Sequence, residues 1–324
     1  MNENAVDLPF RTLVPWLVER YGRPVHRVAL DAGSSCPNRD GTKGFGGCTY
    51  CDVEGSGTGA LKSGADLARQ LEVGLKRIAR RDPDVGAIAY FQSYSNTYVP
   101  IARLREVLAV VEARLGSTHP PIVAVSVATR PDTLSEDALD VLAELARKTD
   151  VWIELGLETA DDAVQRAIRR FHTLRDFEDA AARVKARGLL LVGHAILGLP
   201  GDGREGARRT AQALAAAGCD GVKVHHLMIL RRTQMEKAWR NGELEVLDEV
   251  TYVSWLADFV ELLAPEQILH RINGDSPAED LLAPHWAAHK NDLRARLVAE
   301  FARRGTRQGS THSPVNAAAR VSET

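Results

Sequence analysis

The stretch VHRVALDAGSSCPNRDGTKGFGGCTYC, from Val25 to Cys51, contains the features that decide the fold. It begins with a short apolar run, Val25–Leu30, which is typical of a buried strand. Three cysteines, Cys36, Cys48 and Cys51, then follow in the spacing C-x11-C-x2-C within a glycine-rich segment. Clustered thiols in a loop that follows a strand indicate metal binding or redox chemistry.

Similar apolar runs recur along the chain, and helical patterns separate them. The runs are Val85–Phe91, Ile122–Val127, Val151–Leu157, Leu189–Leu197 and Val222–Leu227, with a weaker one at Gln267–Ile272. Continuous apolar runs suit strands that are buried on both faces, as in a parallel sheet. About six strand–helix units predict an α/β fold of the partial TIM type, a (β/α)6 barrel. A doubly wound open sheet is the alternative, but no G-x-G-x-x-G motif follows the first strand, so a Rossmann site is not favoured.

Composition sets the broad class of protein. The 324 residues include 41 Lys+Arg and 43 Asp+Glu, so the net charge of −2 argues against a globally basic nucleic-acid binder. Four cysteines are too few for a disulfide scaffold. The amino terminus does not resemble a signal peptide, and no apolar run has the length of a membrane span, so we expect a cytoplasmic protein.

We predict three regions along the chain. Residues 1–24 form a short N-terminal extension, and residues 25–302 form the barrel domain with a C-terminal helical extension. Residues 303–324 lack periodic apolar positions and are predicted to be a disordered tail. Within the barrel, Ser135 and Gly188 are typical start and stop signals for helices.

Three thiolates in one loop fit two kinds of metal centre. One is a [4Fe–4S] cluster with three cysteine-bound irons and one open iron. The other is zinc with a fourth ligand from elsewhere in the chain. No second Cys or His pair follows nearby, which favours the cluster. A non-catalytic metal-binding module remains an alternative to an enzyme at this point.

The cysteine loop resembles that of the radical S-adenosylmethionine (SAM) superfamily. Its sequence, CPNRDGTKGFGGCTYC, is similar to the longer loop of the YhcC/YtqA-type members. Further segments resemble the radical SAM domain of the catalytic subunit of Elongator: TRPD at Thr129–Asp132, ELGLET at Glu154–Thr159, Arg169–Thr173 (RGHT in that family, with Phe171 here in place of Gly) and GHAILGLPGD at Gly193–Asp202.

The resemblance implies a radical SAM enzyme. Cys36, Cys48 and Cys51 would ligate a [4Fe–4S] cluster, and SAM would chelate the open iron. Reductive cleavage of SAM would give a 5′-deoxyadenosyl radical that abstracts hydrogen from a substrate. Such chemistry needs an electron donor such as flavodoxin or ferredoxin.

Candidate SAM-binding residues lie near the ends of the predicted strands: Gln92 and Ser93 after the second, Arg130 after the third, Glu158 at the end of the fourth and Gly198 after the fifth. The fork of Arg130 suits the SAM carboxylate and equally suits an internal pair with Asp132. Glu158 matches the position that binds the ribose in the superfamily. Glu154 is predicted to pair with Arg130 or another base.

Candidate catalytic residues are the adjacent His225 and His226 on the sixth strand, one of which is expected to face the barrel. Cys219 is expected to be an inert buried thiol.

Basic residues follow the fourth and sixth strands: Arg166, Arg169, Arg170, His172 and Arg175, then Arg231 and Arg232. With the Elongator resemblance, they favour tRNA as substrate, modified on a wobble uridine side chain. A small metabolite or peptide is the alternative substrate.

Overall fold

A computed structural model describes residues 8–51, 64–288 and 290–313. The first seven residues of the predicted N-terminal extension and residues 314–324 of the predicted tail lie outside the described residues. So do residues 52–63, which directly follow the cysteine loop.

Short strands alternate with helices along the chain, as the apolar pattern predicts. The strands are β1 (Val25–Leu30), β2 (Gly86–Phe91), β3 (Ile122–Thr129), β4 (Asp150–Glu158), β5 (Leu190–Leu197), β6 (Gly221–His226), β7 (Ile229–Leu230), β8 (Ile268–Arg271) and β9 (Leu281–Ala283). The helices are α1 (Leu13–Tyr21), α2 (Leu67–Ala79), α3 (Ile101–Glu112), α4 (Glu136–Ala146), α5 (Asp162–Ala167), α6 (Leu174–Ala186), α7 (Gly203–Ala216), α8 (Gln234–Arg240), α9 (Glu249–Leu262) and α10 (Lys290–Arg304).

The main sheet is parallel and curls into a partial barrel. Its order is β1-β2-β3-β4-β5-β6-β8, so each strand pairs with the next one along the chain except where the short β7 intervenes. The predicted α/β partial TIM-type barrel is therefore confirmed, with the weak run near Gln267 supplying a seventh parallel strand. Parallel order brings the loops that follow the strands to one end of the barrel, where sites of such folds lie.

Helices cover the outer face of the sheet. Leu71 of α2, Leu142 of α4 and Phe177 of α6 are fully buried in the main core with apolar residues of the strands. The predicted helix signals are present, since the Ser135 hydroxyl accepts a hydrogen bond from the Ala138 amide and Gly188 has a positive φ after α6. Burial on both faces explains why the strands read as continuous apolar runs.

The inner face of the sheet is apolar near the amino ends of the strands. There Ile88, Ala124 and Trp152 form a small core with Leu13 and Leu17 of α1. The helix α1 therefore packs across this end of the barrel. The interior is consequently open to ligands at the carboxyl ends of the strands.

Polar side chains occupy the next layer of the interior, two residues further along each strand. Tyr90, Ser126, Glu154 and His194 follow Ile88, Ala124, Trp152 and Val192 in this way, and Lys223 is at the same level on β6. Since side chains two residues apart share a face of a strand, these groups all point into the barrel. A buried polar layer thus separates the apolar base from the cysteine loop.

The structure differs from the tail predicted from Arg303. The helix α10 continues to Arg304, and the following segment packs back on the domain. The side chain of Gln308 is buried, where its amide donates to the carbonyls of Ala264 (2.8 Å) and Gln267 (2.7 Å). The segment also bonds to α9, since Thr306 donates to Glu261 (2.6 Å) and the Thr311 amide donates to the Glu261 carbonyl (3.0 Å). Polar contacts thus order a segment that carries none of the periodic apolar residues on which sequence patterns depend.

Candidate functional site

The cysteine loop, residues 36–51, folds over the carboxyl ends of the strands. Backbone hydrogen bonds close its turns at both ends, from Arg39 N to Cys36 O (2.8 Å) and from Cys51 N to Cys48 O (3.0 Å). Gly46 and Gly47 adopt positive φ, which glycine permits without strain. The loop brings Cys36, Cys48 and Cys51 to one cavity of about 250 Å³.

Two side chains of the same loop donate hydrogen bonds to the sulfurs. The Asn38 amide lies 3.4 Å from Cys48 Sγ, and Arg39 Nη2 lies 3.2 Å from Cys51 Sγ. Asn38 also donates to the backbone carbonyls of Arg169 (2.7 Å) and Arg170 (3.1 Å). It therefore ties the loop to the connection between α5 and α6. Donors to thiolate sulfur raise the reduction potential of an iron–sulfur cluster.

The donor set fits a [4Fe–4S] cluster better than zinc. Three free thiols line one cavity together, which matches a cube with one cysteine on each of three irons. A single zinc ion needs ligands that converge to about 2.3 Å of one point. Within the described ranges, no three His, Cys, Asp or Glu side chains form such a group.

Arg130 is buried at the start of the turn that follows β3. Its guanidinium makes a two-pronged pair with Asp132 (2.9 and 2.8 Å) and donates to the Arg170 carbonyl (2.8 Å). Asp132 also accepts a hydrogen bond from Lys43 of the cysteine loop. One nitrogen of Arg130, Nη1, is buried with no hydrogen-bond partner in the described part of the chain. Arg130 therefore forms the internal pair with Asp132 that was one of its two predicted roles. Its Nη1 is left as a donor without a partner among the described residues.

Glu158 ends β4 in a strained backbone conformation. Its φ is 68°, a region that disfavours side chains other than glycine, and such strain gathers at functional sites. Its carboxylate pairs with Arg170 at 3.2 Å. Gly156 makes room for this pair, because a Cβ there would stand 2.2 Å from Arg170 Nη2 and 2.5 Å from Glu158 Oε1. Both partners of the ion pair line the cavity.

The remaining predicted SAM-binding residues fall in two groups. Gln92 lines the cavity with the cysteines. Ser93 is fully buried beside it, where its carbonyl accepts hydrogen bonds from Ser34 and Asn96, and it is not among the lining residues. Gly198 also lies outside the lining, with positive φ, and a Cβ there would stand 3.1 Å from Leu247 Cγ.

The two candidate catalytic histidines have different surroundings. His225 shares the inner face of β6 with Lys223, and its ring lies 6.1 Å from that of His194. Burial and the charge of Arg271 hold the pKa of His225 well below its usual range. His226 packs against Trp286, and its Nδ1 accepts the Gly274 amide (3.2 Å). Burial lowers the pKa of His226 to about 4, so both imidazoles are neutral near pH 7.

The chain is similar to known proteins over most of its length. Residues 36–214 match the Radical SAM superfamily, and residues 219–303 match the Radical_SAM C-terminal domain. The chain belongs to the radical SAM superfamily.

Two relatives of this radical SAM protein are similar to it over most of its length. It is 38% identical to the uncharacterized protein YtqA of Bacillus subtilis over 300 residues, covering 93% of this chain and 92% of YtqA. It is 36% identical to protein YhcC of Escherichia coli over 279 residues, covering 85% of this chain and 86% of YhcC.

More distant similarity covers part of the chain. A tRNA uridine(34) acetyltransferase of Dehalococcoides mccartyi is 27% identical over 162 residues, which are 48% of this chain and 34% of that protein. The solved structure of archaeal Elp3 from Methanocaldococcus infernus superposes with a TM-score of 0.68 at 17% identity, over 88% of this chain and 64% of that one. The last comparison supports the fold alone.

Family membership decides the cofactor question left open by the spacing. Radical SAM enzymes use a [4Fe–4S] cluster and SAM, and they need an electron donor. The expectation of an enzyme with these cofactors is therefore confirmed, and zinc is not the metal of this family. In the described part of the chain, no helix has both the length and the apolar character to cross a membrane.

A buried ionic network at the base of the cavity contains the pairing predicted for Glu154, and its partner is another base, Lys223, which the sequence did not single out. Glu154 accepts hydrogen bonds from Tyr90 (3.0 Å), Ser126 (2.7 Å) and His194 (3.0 Å), and its carboxylate pairs with Lys223 rather than with Arg130. Burial alone would raise the pKa of Glu154, but Lys223 and His194 hold it well below the usual range. The sequence signal for this network is Lys223, a charged residue within the predicted strand Val222–Leu227.

Cys219 lies apart from the site. It is 2% exposed in the outer core, and a Cβ on Gly193 would stand 3.1 Å from its sulfur. Burial raises the pKa of the Cys219 thiol, which disfavours the reactive thiolate.

Among the residues that follow β8, Asp275 lines the cavity, and Asn273 donates to the Ala287 carbonyl (3.4 Å).

Replacing Asp132 by asparagine is expected to lower the free energy of unfolding by about 2 kcal/mol near neutral pH. Burial would raise the pKa of Asp132, but hydrogen bonds from Arg130 and Lys43 lower it to about 2. A depressed carboxyl pKa stabilises the fold above pH ~4, and this contribution is lost as the pH falls from about 4 to 2. Urea unfolding at several pH values measures the difference. An Asp132→Asn variant whose stability changes with pH just as the wild type does would contradict this assignment.

Proposed function

We propose that this radical SAM enzyme modifies a base of tRNA, with the side chain of a wobble uridine as the target. The named function of the tRNA uridine(34) acetyltransferase relative supports the choice of substrate, since 48% of this chain is similar to that protein at 27% identity. That relative is much longer than the shared segment, so the acetyl-transfer step is not carried over.

The observation that carries the proposal is a pair of exposed aromatic rings beside the cysteine loop. Phe45 is 76% exposed and Phe171 is 37% exposed, both unusual for phenylalanine. The two rings rest on glycines of the loop: a Cβ on Gly41 would stand 2.6 Å from the Phe45 ring, and one on Gly44 would stand 3.0 Å from the Phe171 ring. Exposed aromatic rings on and against the cysteine loop suit stacking against unpaired bases.

Positive charge surrounds this aromatic pair only in part. Arg166, Arg169 and Arg175 are exposed on the segment that follows β4, where they suit phosphate contacts. Arg170 and His172 of the same predicted group are instead turned into the site, and Arg170 Nε donates to His172 Nε2 (3.0 Å). The exposed arginines and the two phenylalanines form what we call the aromatic rim.

We further propose how the chain holds its cofactors. Cys36, Cys48 and Cys51 would ligate the cluster, which with SAM supplies a 5′-deoxyadenosyl radical when bound and reduced. Glu158 and Gln92 would contact SAM, since both line the cavity that the cysteines share.

Three further residues complete the proposed SAM site. Arg130 Nη1 would donate to the SAM carboxylate, because Arg130 lines the same cavity and this nitrogen has no partner in the described residues. Ser93 and Gly198 would contribute through their backbones, which help to position the loops around the cavity.

The substrate and the reductant complete the proposal. His225 faces the cavity as a neutral imidazole, which suits a hydrogen bond to the substrate rather than a salt bridge. His226 would support the wall of the cavity through its contact with Gly274. Flavodoxin or ferredoxin would supply the electron.

The nucleosides of tRNA from a deletion strain test the substrate. Loss of one modified nucleoside, restored by the wild-type gene and not by a Cys48→Ala gene, is the expected result. An unchanged nucleoside profile, with SAM cleavage intact in the purified enzyme, would contradict the tRNA proposal. That outcome would instead favour a small metabolite or a peptide as substrate.

Replacing Phe45 by alanine is expected to weaken tRNA binding by roughly 5- to 100-fold, the range that loss of one stacked base gives. Phe171→Gly is expected to act in the same direction without loss of stability. Phe171 has a φ of 58°, and glycine adopts that conformation without strain. Filter binding of unmodified tRNA at several salt concentrations provides the measurement.

Val14→Ala is the matched control for the aromatic rim. Val14 is 69% exposed on α1, which packs at the opposite end of the barrel. Its loss should leave tRNA affinity unchanged. Equal affinities for all three variants and the wild type would remove the aromatic rim from the binding surface.

A further inference from the structure

Positively charged side chains gather on the inner face of the sheet, at the base of the cavity. They are Arg27 on β1, Lys223 on β6 and Arg271 on β8, which we call the inner cationic group. The Arg27 guanidinium lies 5.7 Å from the centre of the Tyr90 ring, and Lys223 Nζ lies 4.6 Å from it. Arg27 and Arg271 both act on Lys223, whose pKa is lowered to about 7 by burial and by these charges against the opposing pull of Glu154.

The negative charge in this region does not balance the group. Lys223 pairs with Glu154, which is the carboxylate of the polar layer. Arg27 Nε and Nη2 are shielded from solvent, and neither has a hydrogen-bond partner in the described chain. Arg271 lines the cavity and forms no ion pair with any described residue. Arg27 and Arg271 are half-buried, and charges withdrawn from water are normally paired, so two such arginines with no carboxylate at ion-pair distance among the described residues indicate a missing anion.

Two further unpartnered nitrogens lie next to the group. Trp152 Nε1 and His270 Nδ1 are buried without a partner in the described residues, and their rings lie 5.2 Å apart. Burial and the charge of Arg27 hold the pKa of His270 well below its usual range, so the imidazole is neutral and can donate from one nitrogen. In this region, four buried nitrogens that can donate thus lack an acceptor among the described residues, whereas buried donors normally have one.

We propose that the inner cationic group binds an anionic oxygen group, a carboxylate or a phosphate, carried by the substrate. This inference rests on the proposed function in that the substrate would belong to a tRNA. Glu154, Lys223 and Arg271 line the same cavity as the three cysteines. Glu154 precedes Glu158 by four residues on β4, which corresponds to roughly 13 Å along a strand. An anionic group held by the inner cationic group would therefore bind deeper in the barrel than a ligand held at Glu158.

Thermal unfolding of the reconstituted full-length holoenzyme tests the anion site directly. Sodium acetate and sodium phosphate are compared with sodium chloride at equal ionic strength. One of the two oxyanions is expected to raise Tm by roughly 2–4 °C in the wild type, because a ligand of the folded state stabilises it. The Arg27→Gln/Arg271→Gln variant should lose this rise. Arg77→Gln, on the exposed side of α2, should retain it.

The variant is expected to fold, since it removes charge that has no partner. Its Tm in chloride should equal or exceed that of the wild type. If the double variant nevertheless fails to fold, Arg271→Gln alone decides the question, because this side chain lines the cavity. The same response to all three salts in the wild type and the variants would overturn the proposal.

The source of the anion is identified from the deletion strain. An acidic nucleoside that accumulates in its tRNA would assign the site to a carboxylate on the base. A neutral accumulating nucleoside, with stabilisation by phosphate and not by acetate, would assign it to a phosphate. A neutral nucleoside with stabilisation by acetate alone would contradict the proposal. If no nucleoside changes, the tRNA substrate fails, while the salt response still decides whether the anion site exists.

Discussion

A Cys48→Ala variant is expected to lose the iron–sulfur cluster and all reductive cleavage of SAM. Cys48 is 5% exposed at the base of the loop, and its sulfur accepts a hydrogen bond from the Asn38 side-chain amide (3.4 Å). With only Cys36 and Cys51 left, two irons would lack protein thiolates, and a [4Fe–4S] cluster is not retained on two ligands. Anaerobic reconstitution, followed by iron and sulfide analysis and the absorbance near about 400 nm, measures the cluster. Release of 5′-deoxyadenosine under reducing conditions measures the activity.

Cys219→Ala supplies the matched control. It removes the same atoms from a thiol that is 2% exposed in the outer core. We expect full cluster content and normal SAM cleavage, with a modest loss of stability from the small cavity that the sulfur leaves. A cluster that survives in Cys48→Ala but is lost in Cys219→Ala would contradict the ligand assignment.

Local patterns were sufficient to predict the barrel. Each predicted run overlaps a strand of the parallel sheet, and Val85–Phe91 is observed as Gly86–Phe91. The agreement follows from burial on both faces, which makes a parallel strand a continuous apolar run. The two-strand pair of β7 with β9 was not predicted, because strands of two and three residues carry no period.

The sequence predicts only some of the residues that line the cavity. The three cysteines stand out because three thiols in sixteen residues are informative by themselves, and the structure brings them to one cavity. Ser93 and Gly198 were chosen for their place after a strand, but such a place does not determine whether a residue faces the cavity or the wall behind it. The sequence places Arg170 in a surface group, yet its side chain turns inward, where it forms an ion pair with Glu158 and donates to the Gly156 carbonyl.

Lys223 shows the limit of pattern reading most clearly. Its neighbours Val222 and Val224 are fully buried on the outer face, so the run reads as an apolar strand with one exception. The partner Glu154 lies 69 residues away, and no local signal connects the two. The pair arises because β4, β5 and β6 are neighbours in the sheet, which places these side chains on one inner face.

The Glu154–Lys223 pair should therefore dominate the stability of the barrel interior. Glu154→Gln is expected to lower the free energy of unfolding by about 3–5 kcal/mol, because it removes the carboxylate that favours the charged form of the buried Lys223 amine and accepts its hydrogen bond. Glu154 is fully buried and Lys223 is 2% exposed, so water cannot take over the lost contact. Lys223→Met alone should cost a similar amount, since it strands the carboxylate among Tyr90, Ser126 and His194.

The double variant distinguishes a coupled pair from two independent losses. Glu154→Gln/Lys223→Met should recover much of the stability, because both charges are removed together and the methionine fills the space of the lysine stem. Urea unfolding of all four proteins gives the interaction free energy, which we expect to exceed about 2 kcal/mol. The exposed Arg105–Glu144 pair, with side chains 52% and 50% exposed, is the control. The same cycle there should give less than about 1 kcal/mol. Additive losses at Glu154 and Lys223 would mean that the two groups are held separately, by the hydroxyls and the imidazole around them, and that the ion pair itself contributes nothing to the fold.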